Sequence, residues 1–516
     1  MAAAMGRLRR IAREIGARAA TPAGALIFVA LLTAIRLAFA ASAAPTEDEA
    51  YYRLWALHPA WGFLDHPPMV AWWMAGGMAV FGDTMLGLRA AGVLATAIGS
   101  IALLRTAWII LGDRAAASLA VLFFNATILV GVAGIITTPD QPSALFWGLS
   151  LWALAELIRS DKGVWWLAIG LFAGLGLVSK YSSLFLGAGI VLWLALYPET
   201  RRWFLRWELW AGGVLAVLLF TPVVIWNADH GWASFAKQFG RAEVDGLTAR
   251  YLPEFIGVEI LLVNPLLAPF VVTGALGFLE AARRRDVKRG LIVATSAPFV
   301  LYLLLHSLHD RVQGNWPTPL FAASALVAAD AATRLATIAR PWRTVLEWLR
   351  PWIVPVGLVF SVVALAHAVH PIGGFVSRAD PTKQLRGWES LADALEAKRI
   401  EIGADWIATQ DYSLTAQLAF RLRTVPIIQL NERIRYEAAP QPDMALLAKP
   451  ALYVVPDQAF YRGFIATRFH GIEPLGTMER SAGGVGLQRY LIFKLTEPIG
   501  NPLDAPAAWW LYWKGE

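Results

Sequence analysis

The chain of 516 residues contains no cysteine. Disulfides, thiolate metal sites and thiol nucleophiles are therefore excluded together, while the compartment stays open. Charge is also scarce, at 16% against 57% hydrophobic residues, whereas a soluble globular chain carries roughly a quarter of charged residues. No internal repeat, heptad run or low-complexity linker is visible. Gly174, Gly176 and Lys180 lack the Gly-Lys-Ser/Thr ending of a phosphate loop. No His-x-x-x-His pair with a carboxylate recurs on a helix face, so His230, His306 and His309 read as interfacial polar residues rather than metal ligands.

What is present is apolar sequence and 24 tryptophans, with a mean hydropathy of +0.51. Crossing a bilayer as a helix takes about 18 to 20 apolar residues. Eleven segments qualify, near 24–42, 85–110, 115–136, 142–158, 164–178, 181–197, 209–226, 256–280, 290–308, 317–337 and 352–370. The segment 69–82 is too short and glycine-rich to count, and 164–197 also reads as one broken hairpin. The chain is thus expected to be a polytopic α-helical membrane protein.

Basic residues accumulate on the cytoplasmic side. Arg7, Arg9, Arg10, Arg13 and Arg18, then Arg114, Arg159 and Lys162, then Arg201, Arg202 and Arg206 fall on one side of an eleven-span count. Arg283, Arg284, Arg285, Lys288, Arg289, Arg334, Arg340, Arg343 and Arg350 follow them. This predicts a cytoplasmic N-terminus and an outside C-terminal segment. It also assigns the net charge of +7 to topology and lipid headgroups rather than to nucleic acid. The basic start, apolar stretch and Ala40-Ala41-Ser42-Ala43-Ala44 resemble a cleavable signal, but Arg36 and the length of the stretch favour a retained helix.

From 371 onward the composition changes. A charged helical stretch, Leu385 to Lys398, alternates with β-like runs at Val425 to Leu430, Ala451 to Val455 and Gln488 to Phe493. The expected organisation is a membrane domain over 1–370 and a soluble α/β domain over 371–516.

Most unusual polar residues fall on the outside face of this topology. The first loop carries Asp48, Glu49, Tyr51, Tyr52, Arg53, Asp65 and His66, and the next outside turn reads Thr137-Thr138-Pro139-Asp140-Gln141-Pro142. Lys180 and Tyr181 lie between two short spans. Further loops bring Trp226, Asn227, Lys237 and Arg241, then His306, His309, Arg311, Asn315 and Trp316, with Glu259 just inside a span. Ionisable groups at such depth are costly unless they line a wet cavity or meet a ligand. Carboxylates can take a proton from an attacking hydroxyl or amine, and cations can stabilise a departing phosphate, so the set suits group transfer from a charged lipid. Aromatics such as Trp61, Tyr181, Trp226 and Trp232 could stack on a sugar.

The string Thr46-Glu47-Asp48-Glu49-Ala50-Tyr51-Tyr52, followed by Phe63-Leu64-Asp65-His66-Pro67-Pro68-Met69-Val70-Ala71-Trp72, resembles the first outside loop of the bacterial family-39 glycosyltransferases. That group is related to protein mannosyltransferases and to the lipid A aminoarabinose transferase. The likeness continues in Thr138-Pro139-Asp140, Gly176-Leu177-Val178-Ser179-Lys180-Tyr181, Thr221 to Asn227 and Asn315-Trp316-Pro317, and faintly in Gly387-Trp388 and Asp411-Tyr412.

The resemblance implies a GT-C fold of about 11–13 transmembrane helices with a periplasmic C-terminal α/β domain. It implies a polyprenyl-phosphate sugar donor, inversion at the anomeric carbon, and a lipid, glycan or protein acceptor at the periplasmic face of the inner membrane. Asp48 takes the place of the main catalytic carboxylate, with Glu49 beside it and Asp140 as a second acidic position. Tyr52, His66, Lys180, Tyr181, Arg241, Glu259, Arg311 and Asn315 are the expected substrate-binding residues. His66 stands where the aminoarabinose transferases have lysine, and a neighbouring phosphate would move its titration upward. No cofactor is required; a divalent ion shared by Asp48, Glu49 and Asp140 stays open.

Structural alternatives stand beside these roles. Asp48 or Asp140 could cap a helix, Lys180 could snorkel, and His66 could bond its turn. At the level of the whole chain, a secondary transporter or flippase is the competing class, though it usually shows paired repeats and charges near the midplane. A non-catalytic envelope assembly or sensor protein is the third.

Overall fold

The computed structural model describes residues 20–241, 246–460 and 462–503. Arg7, Arg9, Arg10, Arg13 and Arg18 lie outside them. Each of the eleven apolar segments is helical. Among the described residues, five helices are long and apolar enough to cross a membrane unaided: Pro22–Ser42, Met85–Leu111, Trp207–Asp229, Val287–His306 and Arg340–Val369. Two bent pairs raise this to seven if each is one span: Tyr181–Leu196 with Pro198–Leu205, at 112°, and Tyr251–Val263 with Ala268–Arg283, at 103°. The chain is a multi-pass membrane protein, with further apolar helices of 10–17 residues among the described residues.

The breaks have local causes. The segment expected at 115–136 divides into Arg114–Asn125 and Ile128–Ala133, and that at 256–280 divides at Asn264. Asn264 has φ 95 and precedes Pro265, a position from which a helix does not continue. Its buried side-chain amide donates to Ala126 O at 3.2 Å and Ile353 O at 3.0 Å, and its Oδ1 accepts from Leu266 N. One asparagine therefore ties backbone groups of three segments together at the break. Arg36, incongruous in an apolar helix, is held the same way: Nη1 donates to Asn125 Oδ1 at 2.8 Å and Nη2 to Val130 O at 3.2 Å.

Contacts group the chain into two units. The first contains the described residues through Ala41, Asp65–Trp73 and Arg89–Leu365; the second contains Ser42–Leu64, Met74–Leu88 and the chain from Ala366. A single cut at residue 370 was expected. The difference arises because helix Glu47–Leu57 packs against helix Tyr412–Arg421 inside the second unit. In the first unit small residues let helices approach: a Cβ on Gly170 would stand 2.0 Å from Gly212 O.

The second unit is built on a five-stranded sheet of β1 (Trp406–Thr409), β2 (Ile427–Gln429), β3 (Ala451–Pro456), β4 (Phe469–Ala482) and β5 (Val485–Pro498), in the order β2-β1-β3-β5-β4. β1 pairs in parallel with β2 and β3, and β5 runs antiparallel to β3 and β4. The strand period of two sorts side chains between two cores. Ile407, Leu452 and Val454 join Trp388 and Leu418 on one face, while Trp406, Ala408, Tyr453 and Val455 join Ile428 and Phe469 on the other.

Asn264→Leu removes the shared amide and leaves Ala126 O and Ile353 O to be satisfied otherwise, at about 1–3 kcal/mol per lost partner. Its melting midpoint in detergent is expected to fall clearly below wild type; an unchanged midpoint would show that the break does not depend on this residue.

Candidate functional site

In the first unit, side chains from five loops meet at helix ends. Asp140 opens helix Asp140–Ser160 but does not cap it, since the cap position is Pro139 and no side-chain cap bond forms. Its carboxylate turns to other partners. Lys180, in extended conformation between helices Trp165–Ser179 and Leu184–Leu196, donates from Nζ to Asp140 Oδ1 at 2.5 Å. Asn315 Nδ2 donates to Asp140 Oδ2 at 2.7 Å, and the Thr138 hydroxyl lies 3.2 Å from the same oxygen. The Lys180 and Asp140 side chains are 13% and 5% exposed, so the pair is largely withdrawn from water.

A second ion pair joins Asp65 to Lys237, and Gln238 Nε2 donates to Asp65 O at 2.5 Å. Helix Ala233–Gly240, which carries both partners, is braced from below. The Tyr181 hydroxyl lies 2.9 Å from Ser234 Oγ and accepts from Asn227 Nδ2 at 3.4 Å, and its ring packs on Phe235 at 5.1 Å. Tyr181, expected to bind substrate, is thus a support for the wall. Arg241 follows that helix with its guanidinium 6.0 Å from the ring centre of Trp316.

His66 sits among these charges. Burial pushes its imidazole down to about 3, with Lys180 and Arg241 acting in the same direction against Asp65 and Asp140. The direction is opposite to the one expected beside a phosphate, because burial disfavours the imidazolium and two nearby cations add to that penalty. Lys180 and Lys237 are paired with Asp140 and Asp65, and Arg241 adds a third cation near the imidazole.

Two expected residues are placed elsewhere. Arg311 is mostly exposed and ion-pairs with Glu254. Glu259 is half-buried on helix Tyr251–Val263, with Oε1 lacking a hydrogen-bond partner among the described residues.

The second unit holds the acidic cluster. Thr46 caps helix Glu47–Leu57: its hydroxyl accepts from Glu49 N at 3.1 Å, and Glu49 Oε2 accepts from Thr46 N at 3.0 Å, a reciprocal capping box. Glu49, fully buried, is thereby committed to holding the helix start, which gives its expected catalytic role no geometric support. Asp48 is not the cap. It lies in the first turn and its Oδ1 accepts from the Tyr412 hydroxyl at 3.2 Å. Burial pushes Glu47 up to about 7, against the pull of Arg480. Tyr52 is buried against Tyr51 and Trp55, with ring centres 5.8 and 4.9 Å away. Arg53 ion-pairs with Asp83.

No group of three or more histidine, aspartate or glutamate side chains among the described residues is placed to hold a metal ion. Lys237 and Asp65, noted in outside loops but not assigned to the site, prove to be partners; their opposite charge was the available signal, but 172 residues separate them. Tyr412 was marked only by the faint likeness at Asp411-Tyr412, and Arg435 by no motif.

A neutral His66 penalises protonation in the folded state. Its folded value lies below the unfolded one, so its contribution is fully present above about 6.5 and is lost as pH falls toward 3. Melting midpoints measured from pH 7.5 to 4.5 should therefore fall less steeply for His66→Gln than for wild type. Parallel slopes would mean that the imidazole is not held neutral.

Comparison with known proteins finds similar sequences and a similar fold. Residues 65–226 match the family described as dolichyl-phosphate-mannose-protein mannosyltransferase. The lipid A galacturonosyltransferase RgtD of Rhizobium johnstonii is 23% identical over 385 residues, 73% of this chain and 77% of that protein. An undecaprenyl phosphate-α-4-amino-4-deoxy-L-arabinose arabinosyl transferase of Sodalis glossinidius is 30% identical over 161 residues, covering 30% of this chain and 29% of that one. The crystal structure of ArnT from Cupriavidus metallidurans bound to undecaprenyl phosphate superposes with a TM-score of 0.63 at 16% identity, over 93% of this chain and 99% of ArnT. The chain therefore has the GT-C fold of ArnT and is similar in sequence to a lipid A galacturonosyltransferase and to undecaprenyl-phosphate aminoarabinose transferases.

Proposed function

We propose that this protein moves a sugar from a polyprenyl-phosphate carrier to an envelope acceptor, with inversion at the anomeric carbon, at the periplasmic face of the inner membrane. One relative is a lipid A galacturonosyltransferase and another is bound to undecaprenyl phosphate in its crystal, which supports a lipid-phosphate donor and a lipid A or glycan acceptor. The observation that carries the reading is the node of Lys180, Asp140 and Asn315, drawn from three loops at the ends of apolar helices. A phosphate on an apolar chain needs a cation at such a depth.

In the proposed reaction the acceptor hydroxyl attacks C1 of the sugar, the bond between C1 and the phosphate oxygen breaks, and polyprenyl phosphate leaves with the electron pair. Asp48 takes the acceptor proton and later releases it to water. Lys180 stabilises the charge that grows on the departing phosphate. Asp140 acts through Lys180: it holds the ammonium in place, so it is a positioning residue. Arg241 and Lys237 add positive potential, and a neutral His66 offers a hydrogen bond rather than a charge.

The test is transfer of labelled sugar from undecaprenyl-phosphate sugar to lipid A by purified protein in detergent or vesicles. Donor uptake without transfer would instead favour a flippase. Asp48→Asn is expected to lower kcat by roughly 10²- to 10⁴-fold, the range of general-base catalysis, with an unchanged melting midpoint. Glu49→Gln should do far less, since the amide oxygen can still accept from Thr46 N; equal losses in the two variants would refute the division of labour.

Lys180→Ala should raise the donor KM and also lower kcat, because its contact strengthens in the transition state. Asp140→Asn should show a smaller loss of the same kind. Wild-type donor kinetics in Lys180→Ala would remove the lysine from the donor site.

A further inference from the structure

The second unit gives Asp48 a partner that neither the motif nor the relatives assign. β1 ends at Thr409, and Asp411 caps the next helix by accepting from Leu414 N at 2.8 Å, which fixes Tyr412 as its first residue. Tyr412 therefore stands at the carboxyl end of a parallel strand, where α/β sheets habitually present functional groups. Helix Tyr412–Arg421 packs on helix Glu47–Leu57, and Gln417, fully buried, donates from Nε2 to Pro45 O at 3.2 Å. That contact sets the register of the two helices, and the Tyr412 hydroxyl then falls 3.2 Å from Asp48 Oδ1.

Arg435 reaches the same ring from beyond the end of β2. Its guanidinium lies 5.0 Å from the Tyr412 ring centre and 5.7 Å from that of Tyr51, and Nη1 donates to the Tyr51 hydroxyl at 3.3 Å. It is buried and anchored by Glu432 at 2.6 Å. A cation on the face of a phenol draws electron density from the ring and makes the hydroxyl a better donor.

We propose that Tyr412 is a positioning residue for the transfer reaction: its hydroxyl aims the Asp48 carboxylate and keeps it ionised, and Arg435 strengthens that hydrogen bond. The α/β domain then supplies part of the catalytic apparatus. A length of 3.2 Å is long for an O–H to oxygen bond, as catalytic bonds often are before substrate tightens them. The charged groups around Asp48 are Glu47 on its own turn, Asp411 and Tyr412 from the packed helix, Glu432 and Arg435 beyond β2, and Arg480 and Lys383, which act on the adjacent Glu47.

This inference rests on Asp48 being the base, so the experiment separates the two. Transfer is measured across pH for wild type, Asp48→Asn, Tyr412→Phe and the double variant, each with its melting midpoint. Tyr412→Phe keeps the ring and its packing and loses only the donor. It is expected to lower kcat roughly tenfold with the donor KM unchanged, the worth of a hydrogen bond to a charged group. The acid limb of its profile should move to higher pH, because the carboxylate loses the bond that favours its ionised form. In the double variant Tyr412→Phe should cost nothing further, since its effect passes through Asp48.

Wild-type turnover in Asp48→Asn would sink both the base and its positioning. A dead Asp48→Asn with an unmoved acid limb in Tyr412→Phe, or with additive losses in the double variant, would overturn the role of Tyr412 alone. As a second route to the same readout, Arg435→Gln should move the limb in the same direction by a smaller amount; no movement there would overturn the part assigned to Arg435.

Discussion

A charge brought to the edge of a hydrocarbon layer has to find a partner, and the pairing of Lys180 with Asp140 meets that demand at the ends of apolar helices. The lysine lies between helix Trp165–Ser179 and the short helical turn Tyr181–Ser183, where its backbone is extended. Its partner comes from the start of another helix, and Asn315 closes the second carboxylate oxygen from a third loop. Three loops are thus tied at one point by two short bonds to a single carboxylate. The Asp65 and Lys237 pair repeats the arrangement for the end of the first loop.

The same economy governs the turn at Thr46. Three consecutive acidic residues on a helix point about 100° apart and so meet different surroundings. Glu47 is pushed toward neutrality by burial, Glu49 is spent on the cap, and Asp48 faces the Tyr412 hydroxyl. A capping box that uses Glu49 in this way is what frees Asp48 for chemistry. The aromatic floor of Tyr51, Tyr52 and Trp55, with Phe63 stacked on Trp55 at 4.3 Å, fixes the helix beneath it.

Burial also recasts the role of several side chains named from their type alone. Tyr181 braces a helix through Ser234. Arg311 is engaged by Glu254, and His66 is held neutral chiefly by burial, with the cations expected to share its ligand adding to it. Residue type told which groups could meet a phosphate; the packing around each decided its charge and its reach.

The amino-acid sequence by itself determined the membrane class, the positions of the eleven helical segments and the α/β character of the C-terminal residues, because hydropathy and strand alternation are local sums over neighbouring residues. It also marked Asp48, Asp140 and Lys180, through strings short enough to resemble a known loop. The breaks at Asn264 and after Asn125, the short both-face-buried β1 and the bulged β4 escaped it, since none carries a periodic signal of its own. Only the tertiary structure decided who pairs with whom. Lys180 meets Asp140 across 40 residues, Asn315 meets it across 175, and Tyr412 meets Asp48 across 364. Such partners are chosen by which helix ends the packing brings together, and that choice is written in no local stretch of the chain.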